Sequence, residues 1–421
     1  MYACCVDFDS VRKEKGLVLR LVLVTDAFPP MRSSGAVQVR DLARKLCEMG
    51  HEVGVVAPSP DLDVDLKVEE FFGVRVIRVK VLQIRNIGYV QRTISEMLMP
   101  LFVIWRLYRC RMHRGAWDGV VCYAPSLFLG PITMALKAVN RCPSYLIIRD
   151  LFPQWALDMG LMGKGAPYYF LKIVERYLYA AADVIGVQTP ANLPYFSGWL
   201  KRKEGRKLEV LQNWLSEAPV RACSISIAAS SFAGRTICVY AGNMGSAQGM
   251  DIIIDLAQSV ADDASIGFLL VGRGRDADRL RQVCSERRLD NILFFDEIEP
   301  DEIPGLYAQC HVGLVVLDPR HKTHNIPGKF LSYMQSGLPV IASINPGNDL
   351  LDLIQKRQVG LAFADGHVAS LHDGVYTMLQ WLRIDPDLSL RCKALWREMF
   401  SVDTVARQVV GALSELKDQR S

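Results

Sequence analysis

The sequence predicts an α/β protein made of two doubly wound, Rossmann-like domains that face a central cleft. Three observations predict it. Short runs of β-branched residues and leucine alternate with segments whose apolar residues recur at helical spacing, the pattern of parallel strands buried on both faces. The alternation is interrupted once, by a basic and then Ser/Ala-rich stretch over residues 201–232, and afterwards restarts. The length, 421 residues, suits two domains of roughly 200 residues each.

In chain order, residues 1–16 mix Cys, Asp, Arg, Lys and Gly without periodicity and read as a flexible extension. Residues 19–24 form the first strand and residues 26–35 a Pro-, Ser- and Gly-rich loop. Val39, Leu42, Ala43 and Leu46 then mark a helix face that Gly50 terminates, before a strand at 52–57. Further strands are expected at 119–123, 145–148 and 184–187, so that residues 17–204 make the N-terminal domain and 205–232 the linker. The second domain, 233–395, has strands at 237–241, 267–271, 292–295, 312–316 and 340–342, with a helix from about Asp251. Residues 396–421 are expected to form a helix that packs back on the first domain.

Composition excludes several classes. Half of the residues are hydrophobic and 22% charged, which rules out a disordered or fibrous chain. Forty-nine basic against forty-five acidic residues leave +4, too little to indicate nucleic-acid binding. The eleven cysteines lack any C-x-x-C spacing and read as small core hydrophobes in a reducing compartment. No run approaches the ~20 apolar residues of a membrane span, and the N-terminus lacks the order of a signal peptide, so a cytoplasmic location is expected.

Three segments carry the candidate chemistry. The first, residues 26–35, lies between a strand and a helix, where Ser33, Ser34 and Gly35 allow backbone N–H groups to face an anion. A serine-capped βα turn without a ligand explains the same residues. The second, residues 242–249, places Gly242, Gly245 and Gly249 in eight positions with Asn243 and Gln248 between them, which lets the backbone approach a phosphate or a sugar. Gly272 and Arg273 follow the next strand, where Arg273 is a candidate anion contact. The third, residues 324–340, begins His324, Asn325 and reaches a helix near Pro327, Gly328 and Lys329, with Ser332 a turn on and Gly337 as its stop. A lysine in a first turn opposes the helix dipole by about a few tenths of a kcal/mol, a cost that a bound diphosphate reverses. His321 and His324 lack a third partner for a metal.

Residues 327–340, the glycine loop at 242–249 and the Ser34–Gly35 turn together resemble the bacterial family-4 glycosyltransferases of GT-B fold, in particular the subgroup that includes L-fucosaminyltransferases of O-antigen and capsule assembly. The resemblance extends over nearly the whole chain from about residue 19. It implies retaining transfer of a sugar from a nucleotide diphosphate donor without an obligatory metal, the donor lying on the second domain and the acceptor on the first. By position it implies that Gly35 approaches the reacting phosphate and sugar, that residues 242–249 line the diphosphate, and that residues 324–329 contact sugar and phosphates. Many members carry two glutamates where this chain has His324 and Ser332, and an Arg and a Lys where it has Asn243 and Gln248. Lys329 and Arg273 are the candidates to replace that charge. The family's frequent histidine gives way here to the segment 148–153, which places Arg149 and Asp150 either on the acceptor side of the cleft or in a structural ion pair. Trp155, Asp158, Tyr168 and Tyr169 shape the acceptor site or simply pack.

Residues 85–114 hold six arginines, 85, 92, 106, 109, 111 and 114, against Glu96, a net +5 that leaves −1 for the rest of the chain. The apolar run 97–105 inside this segment is too short to span a bilayer. It suits a helix on an anionic membrane surface, or a core helix with a solvated basic face. The expected function is therefore a peripheral transferase at the inner face of the cytoplasmic membrane. Its expected donor is a UDP-sugar, a UDP-N-acetyl-6-deoxyhexosamine, and its expected acceptor a polyprenyl-diphosphate-linked oligosaccharide. A nucleotide-sugar epimerase or hydrolase of the same fold and a non-catalytic scaffold are the alternatives. A nicotinamide-dependent oxidoreductase is disfavoured because neither first strand is followed by a dinucleotide fingerprint.

Overall fold

The computed structural model describes residues 18–31, 33–84, 87–110, 117–124, 126–158, 160–202, 204–245, 248–318 and 326–420. The expected extension at 1–16 lies outside them. The first domain carries strands β1 (Arg20–Val24), β2 (Glu52–Ser59), β3 (Leu66–Phe71), β4 (Val74–Lys80), β5 (Gly119–Ala124), β6 (Ser144–Ile148), β7 (Val184–Val187) and β8 (Lys207–Val210). Its helices are α1 (Ser34–Glu48), α2 (Tyr89–Arg109), α3 (Gly130–Asn140), the short α4 (Gln154–Asp158), α5 (Ala166–Ala181) and the short α6 (Ser197–Leu200). The strand order is β3-β4-β2-β1-β5-β6-β7-β8. Every neighbouring pair is parallel except β3–β4, which is antiparallel around a turn with Phe72 and Gly73 at positive φ.

The second domain has β9 (Thr236–Ala241), β10 (Ile266–Val271), β11 (Ile292–Phe295), β12 (Val312–Val316), β13 (Val340–Ser343) and β14 (Gly360–Phe363). Its helices are α7 (Asp251–Ser259), α8 (Ala277–Glu286), the short α9 (Ile303–Tyr307), α10 (Gly328–Ser336), α11 (Asp349–Arg357), α12 (Val368–Ile384) and α13 (Leu388–Leu395). The order β11-β10-β9-β12-β13-β14 is all parallel and reverses between β9 and β12. In the first sheet the reversal lies between β1 and β5. Doubly wound sheets bind ligands beyond the strand ends at such points.

Strand burial explains why the periodicity was legible. The interior of β1, β5, β6 and β10 is closed to solvent on both faces, so apolar runs without alternation are required there. Helix ends follow local chemistry. Ser33 caps α1 by accepting from the Ala36 N–H at 3.2 Å, Gly50 leaves it at φ +91°, and Gly337 ends α10 at φ +79°.

Two boundaries differ from the sequence expectation. Residues 207–210, read as part of the linker 205–232, form edge strand β8 beside β7. Four residues among lysines, only half-buried, give little periodic signal. The connection after Val210 is packed at both ends, where Leu211, Trp214, Ile225, Ile227 and Phe232 are buried, and exposed between them over residues 217–222. The returning C-terminal helix α14 (Val402–Asp418) starts later than residue 396. Residues Trp396–Phe400 form a π-helical turn whose Trp396 and Phe400 belong to the second domain's core. Helix α14 then buries Val405, Ala406, Val409 and Leu413 with α1, β1 and β2 of the first domain. Lys45–Asp403 at 2.5 Å and Lys417–Asp118 at 2.8 Å flank that seam.

Candidate active site

Three of the predicted segments sit at the two points where strand order reverses. In the second domain, the glycine loop follows β9 and the Pro327–Lys329 segment follows β12, its neighbour in the sheet. The fold therefore brings together residues more than eighty positions apart. A Cβ on Gly242 would lie 3.8 Å from Lys329 Cε, and Lys329 Nζ stands 3.7 Å from the centre of the Tyr240 ring. Tyr240 is itself held by donating its hydroxyl to the Asn243 carbonyl at 2.6 Å.

Helix α10 begins with Pro327 as N-cap, then Gly328 and Lys329, with no acidic side chain in its first turn and no side chain capping it. Its positive dipole end can accept negative charge. Desolvation pushes the Lys329 ammonium down from 10.5 to about 7. Among the described residues no carboxylate holds its proton, so burial alone sets the shift. Ser332 instead donates to the Gly328 carbonyl at 3.3 Å, a bond within its own helix. His324, Asn325 and His321 lie outside the described residues.

The glycine loop is shaped by its neighbours as much as by room for a ligand. Gln248 folds back to accept from the Gly245 N–H at 3.1 Å, and the Asn243 amide lies beside the same glycine. Gly272, at φ +143°, abuts the Gly242 carbonyl so closely that a Cβ would lie 2.1 Å from its oxygen; Gly274 stands likewise against Met244. The Met244 N–H donates to the Arg273 carbonyl at 2.8 Å, which ties the two loops together. The Arg273 side chain points to solvent and pairs with Glu297 at 2.9 Å.

In the first domain, Ser34 and Gly35 open α1, whose first turn also lacks an acid. Gly35 has a structural reason to be glycine, because a Cβ there would press on the Tyr123 hydroxyl at 3.2 Å. The Arg149 guanidinium lies over both the Tyr123 and Trp214 rings, 5.8 and 5.9 Å from their centres, with Asp150 exposed beside it. Burial pushes the Tyr123 hydroxyl up to about 12, with Arg149 opposing and Asp150 adding to the shift. Tyr168 is buried and donates to Gln154 at 3.2 Å, whereas Tyr169 faces outward.

A buried network that sequence reading missed joins the two halves. Tyr123 donates to Gln38 at 2.9 Å, Gln38 donates to Asn213 at 2.9 Å, and Asn213 donates to the Ile326 carbonyl at 3.4 Å, one residue before Pro327. Trp214 donates back to the Gln38 carbonyl at 2.9 Å. The signal available was Gln38 itself, a polar residue adjacent to the apolar stripe of α1. Ala191 N–H donates to Asp349 at 2.8 Å, a second link between the domains.

In the membrane-candidate segment, the arginines are not all turned outward. Arg106 is folded inward onto Asp65 at 3.0 Å and the Lys80 carbonyl at 2.9 Å, and Arg92 pairs with Glu96 at 2.7 Å. Arg85, Arg111 and Arg114 lie outside the described residues. Among the described residues no helix is long and apolar enough to cross a membrane.

The description "Glycosyl transferase 4-like domain" matches residues 34–214, and "Glycosyl transferases group 1" matches residues 235–380. The chain is 26% identical over 211 residues to an Escherichia coli K12 protein named by inference as the colanic acid biosynthesis glycosyl transferase WcaI. That match spans 46% of this chain and only half the length of the relative. Sucrose-phosphate synthase from Thermosynechococcus elongatus superposes with a TM-score of 0.70 at 15% identity, over 96% of this chain and 100% of its own. Anabaena Alr3699/HepE in complex with UDP and glucose superposes with a TM-score of 0.63 at 14% identity, over 94% of this chain and 99% of its own. These structural likenesses concern the fold. The first half of the chain thus matches a glycosyl transferase 4-like domain and the second a glycosyl transferases group 1 domain, and the two together have the GT-B fold.

Proposed function

We propose that the protein transfers a sugar from a nucleotide diphosphate donor to a lipid-linked oligosaccharide during assembly of a surface polysaccharide. The observation that carries this is Lys329 at the open end of α10, stacked on Tyr240 and against Gly242, in a first turn without acids. The chemistry asks for positive charge where the bond from the anomeric carbon to the diphosphate breaks, and this corner supplies a cation, a helix N-terminus and close backbone. The acceptor hydroxyl forms the new glycosidic bond with retained configuration, and its proton leaves with the diphosphate. Arg149 and Asp150, across the cleft in the first domain, face the acceptor.

A UDP-sugar, namely a UDP-N-acetyl-6-deoxyhexosamine, is the proposed donor, and the reaction needs no metal. Support for UDP comes from the UDP-bound state of HepE, and for a surface polysaccharide from the colanic acid role given to WcaI. The polyprenyl-diphosphate acceptor follows from the resemblance, with residues 85–114 at the inner face of the cytoplasmic membrane. A thermal-shift screen against UDP, GDP, ADP, CMP and dTDP, with and without EDTA, tests the donor side. At a ligand concentration of 100 Kd, stabilisation should reach about 2.7 kcal/mol. A shift with UDP that EDTA leaves intact supports this function; no shift with any nucleotide contradicts it and favours a scaffold.

A further inference from the structure

Helix α2 turns an unbroken apolar stripe away from the protein: Val90, Ile94, Met97, Leu101, Trp105 and Tyr108 are all exposed, Val90 by 76% and Leu101 by 65%. Their spacing of three and four keeps them on one face for about 27 Å of helix. Helix α5 carries a second stripe of Tyr169, Phe170, Ile173 and Tyr177. Helix α3 lies against both and adds exposed Met134 and Val139. Soluble proteins rarely leave a contiguous apolar surface of this extent uncovered.

Charge identifies the occupant. On α2, α3 and α5 the only acids are Glu96 and Glu175, and both are turned inward: Glu96 against Arg92, and Glu175 against Lys172 and the Tyr179 hydroxyl. Arg92, Arg109 and Arg176 are exposed. An apolar face with exposed tyrosines and a tryptophan, with Arg92, Arg109 and Arg176 at its rim and Asp65, beside Arg106 and Arg109, as an outward acid at one end of α2, matches an anionic bilayer. Between α2 and α3 a small apolar slot of about 60 Å³, lined by Ile104, Leu107, Tyr108, Ala135, Leu136 and Val139, opens at the exposed Tyr108 and Val139.

We propose that α2, α3 and α5 form one face that seats on an anionic phospholipid leaflet, and that the slot between α2 and α3 takes a few methylenes of one of its hydrocarbon chains. This deepens the membrane part of the function proposed above and rests on it, while being independent of the donor. The face extends the contact well beyond residues 85–114, to helix α5. It also has a direction. Helices α2 and α5 follow the C-terminal ends of β4 and β6, so both stripes start at the end of the sheet that carries Gly35 and Arg149. A bilayer seated here is held at the rim of the acceptor cleft.

The test is flotation of the full-length protein with vesicles of equal parts phosphatidylglycerol and phosphatidylcholine. Leu101→Glu on α2 and Ile173→Glu on α5 should each weaken binding at least tenfold. Vesicles brominated along the acyl chain should quench a tryptophan signal that Trp105→Phe removes. Ala135→Phe, which narrows the slot without a charge, should weaken binding about threefold. The UDP-induced thermal shift, read on every variant, reports folding and donor binding separately from the membrane. Binding that survives both glutamate variants overturns the face, and binding unchanged in Ala135→Phe overturns the slot. Lipid-free self-association that Leu101→Glu abolishes also overturns the proposal, by assigning the face to a second copy of this chain.

Discussion

Lys329 holds its ammonium 3.7 Å from the centre of the Tyr240 ring, the two joined across neighbouring strands of the second sheet. The lysine sits in the first turn of α10 and the tyrosine on β9, so the contact exists only in the folded second domain. Removing the lysine takes away the cation proposed to meet the diphosphate while leaving the tyrosine in place. Lys329→Ala should therefore cut turnover at least tenfold, about 1.4 kcal/mol of lost stabilisation. Steady-state kinetics with the donor checks it; unchanged activity removes Lys329 from the mechanism.

The depressed Lys329 value gives a pH signature. Above about pH 7 the free protein holds this side chain neutral, whereas a bound diphosphate favours the charged form. Binding above pH 7 then takes up a proton, and UDP affinity should fall as pH rises from 7 to 9. Lys329→Met should lose this dependence, and calorimetry in buffers of different ionisation enthalpy measures the proton directly.

The same group affects stability with a defined sign. Its folded value of about 7 lies below the ordinary 10.5, so between those limits the unfolded chain binds more protons than the folded one. Stability without ligand should rise with pH across that window, by at most about 1.4 kcal/mol per unit. Comparing urea unfolding of wild type and Lys329→Met isolates the contribution, which should vanish in the variant.

Gly272 and Gly50 both occupy positive φ, but only Gly272 faces backbone. A Cβ at 272 would sit 2.1 Å from the Gly242 oxygen, while around Gly50 there is open space. Gly272→Ala should cost about 3 kcal/mol and Gly50→Ala about 1 kcal/mol in urea unfolding. Equal effects would mean that the close approach of the two loops is absent.

The network from Tyr123 to Ile326 couples the first domain to the donor segment. Asn213→Ala removes the donor to the Ile326 carbonyl and leaves Gln38 without its side-chain acceptor. It should weaken UDP binding about fivefold and lower stability by about 2 kcal/mol. Titration of UDP with parallel denaturation separates the two effects.

Much of the fold was legible because doubly buried strands must be apolar runs. Strands at 184–187 and 312–316 coincide with the fully buried β7 and β12, and 292–295 coincides with edge strand β11, which is only half-buried but is an apolar run throughout. What escaped were elements without a continuous run of large apolar residues: the exposed β3, the half-buried β8 and the short β14. At the site, the glycine loop and the Pro327 helix start could be read from turn chemistry. That Tyr240 underlies Lys329 could not, since pairing β9 beside β12 is a tertiary fact. Gln38 and Asn213 were hidden for the same reason: one reads as an ordinary helix residue, the other as part of a linker.

The most direct test of the central claim is a crystal structure of the protein with UDP bound. The diphosphate should lie at the N-terminus of α10, within hydrogen-bonding distance of Lys329 Nζ and facing the Gly242 loop. A diphosphate bound elsewhere, with Lys329 still stacked on Tyr240 and out of reach, would contradict it.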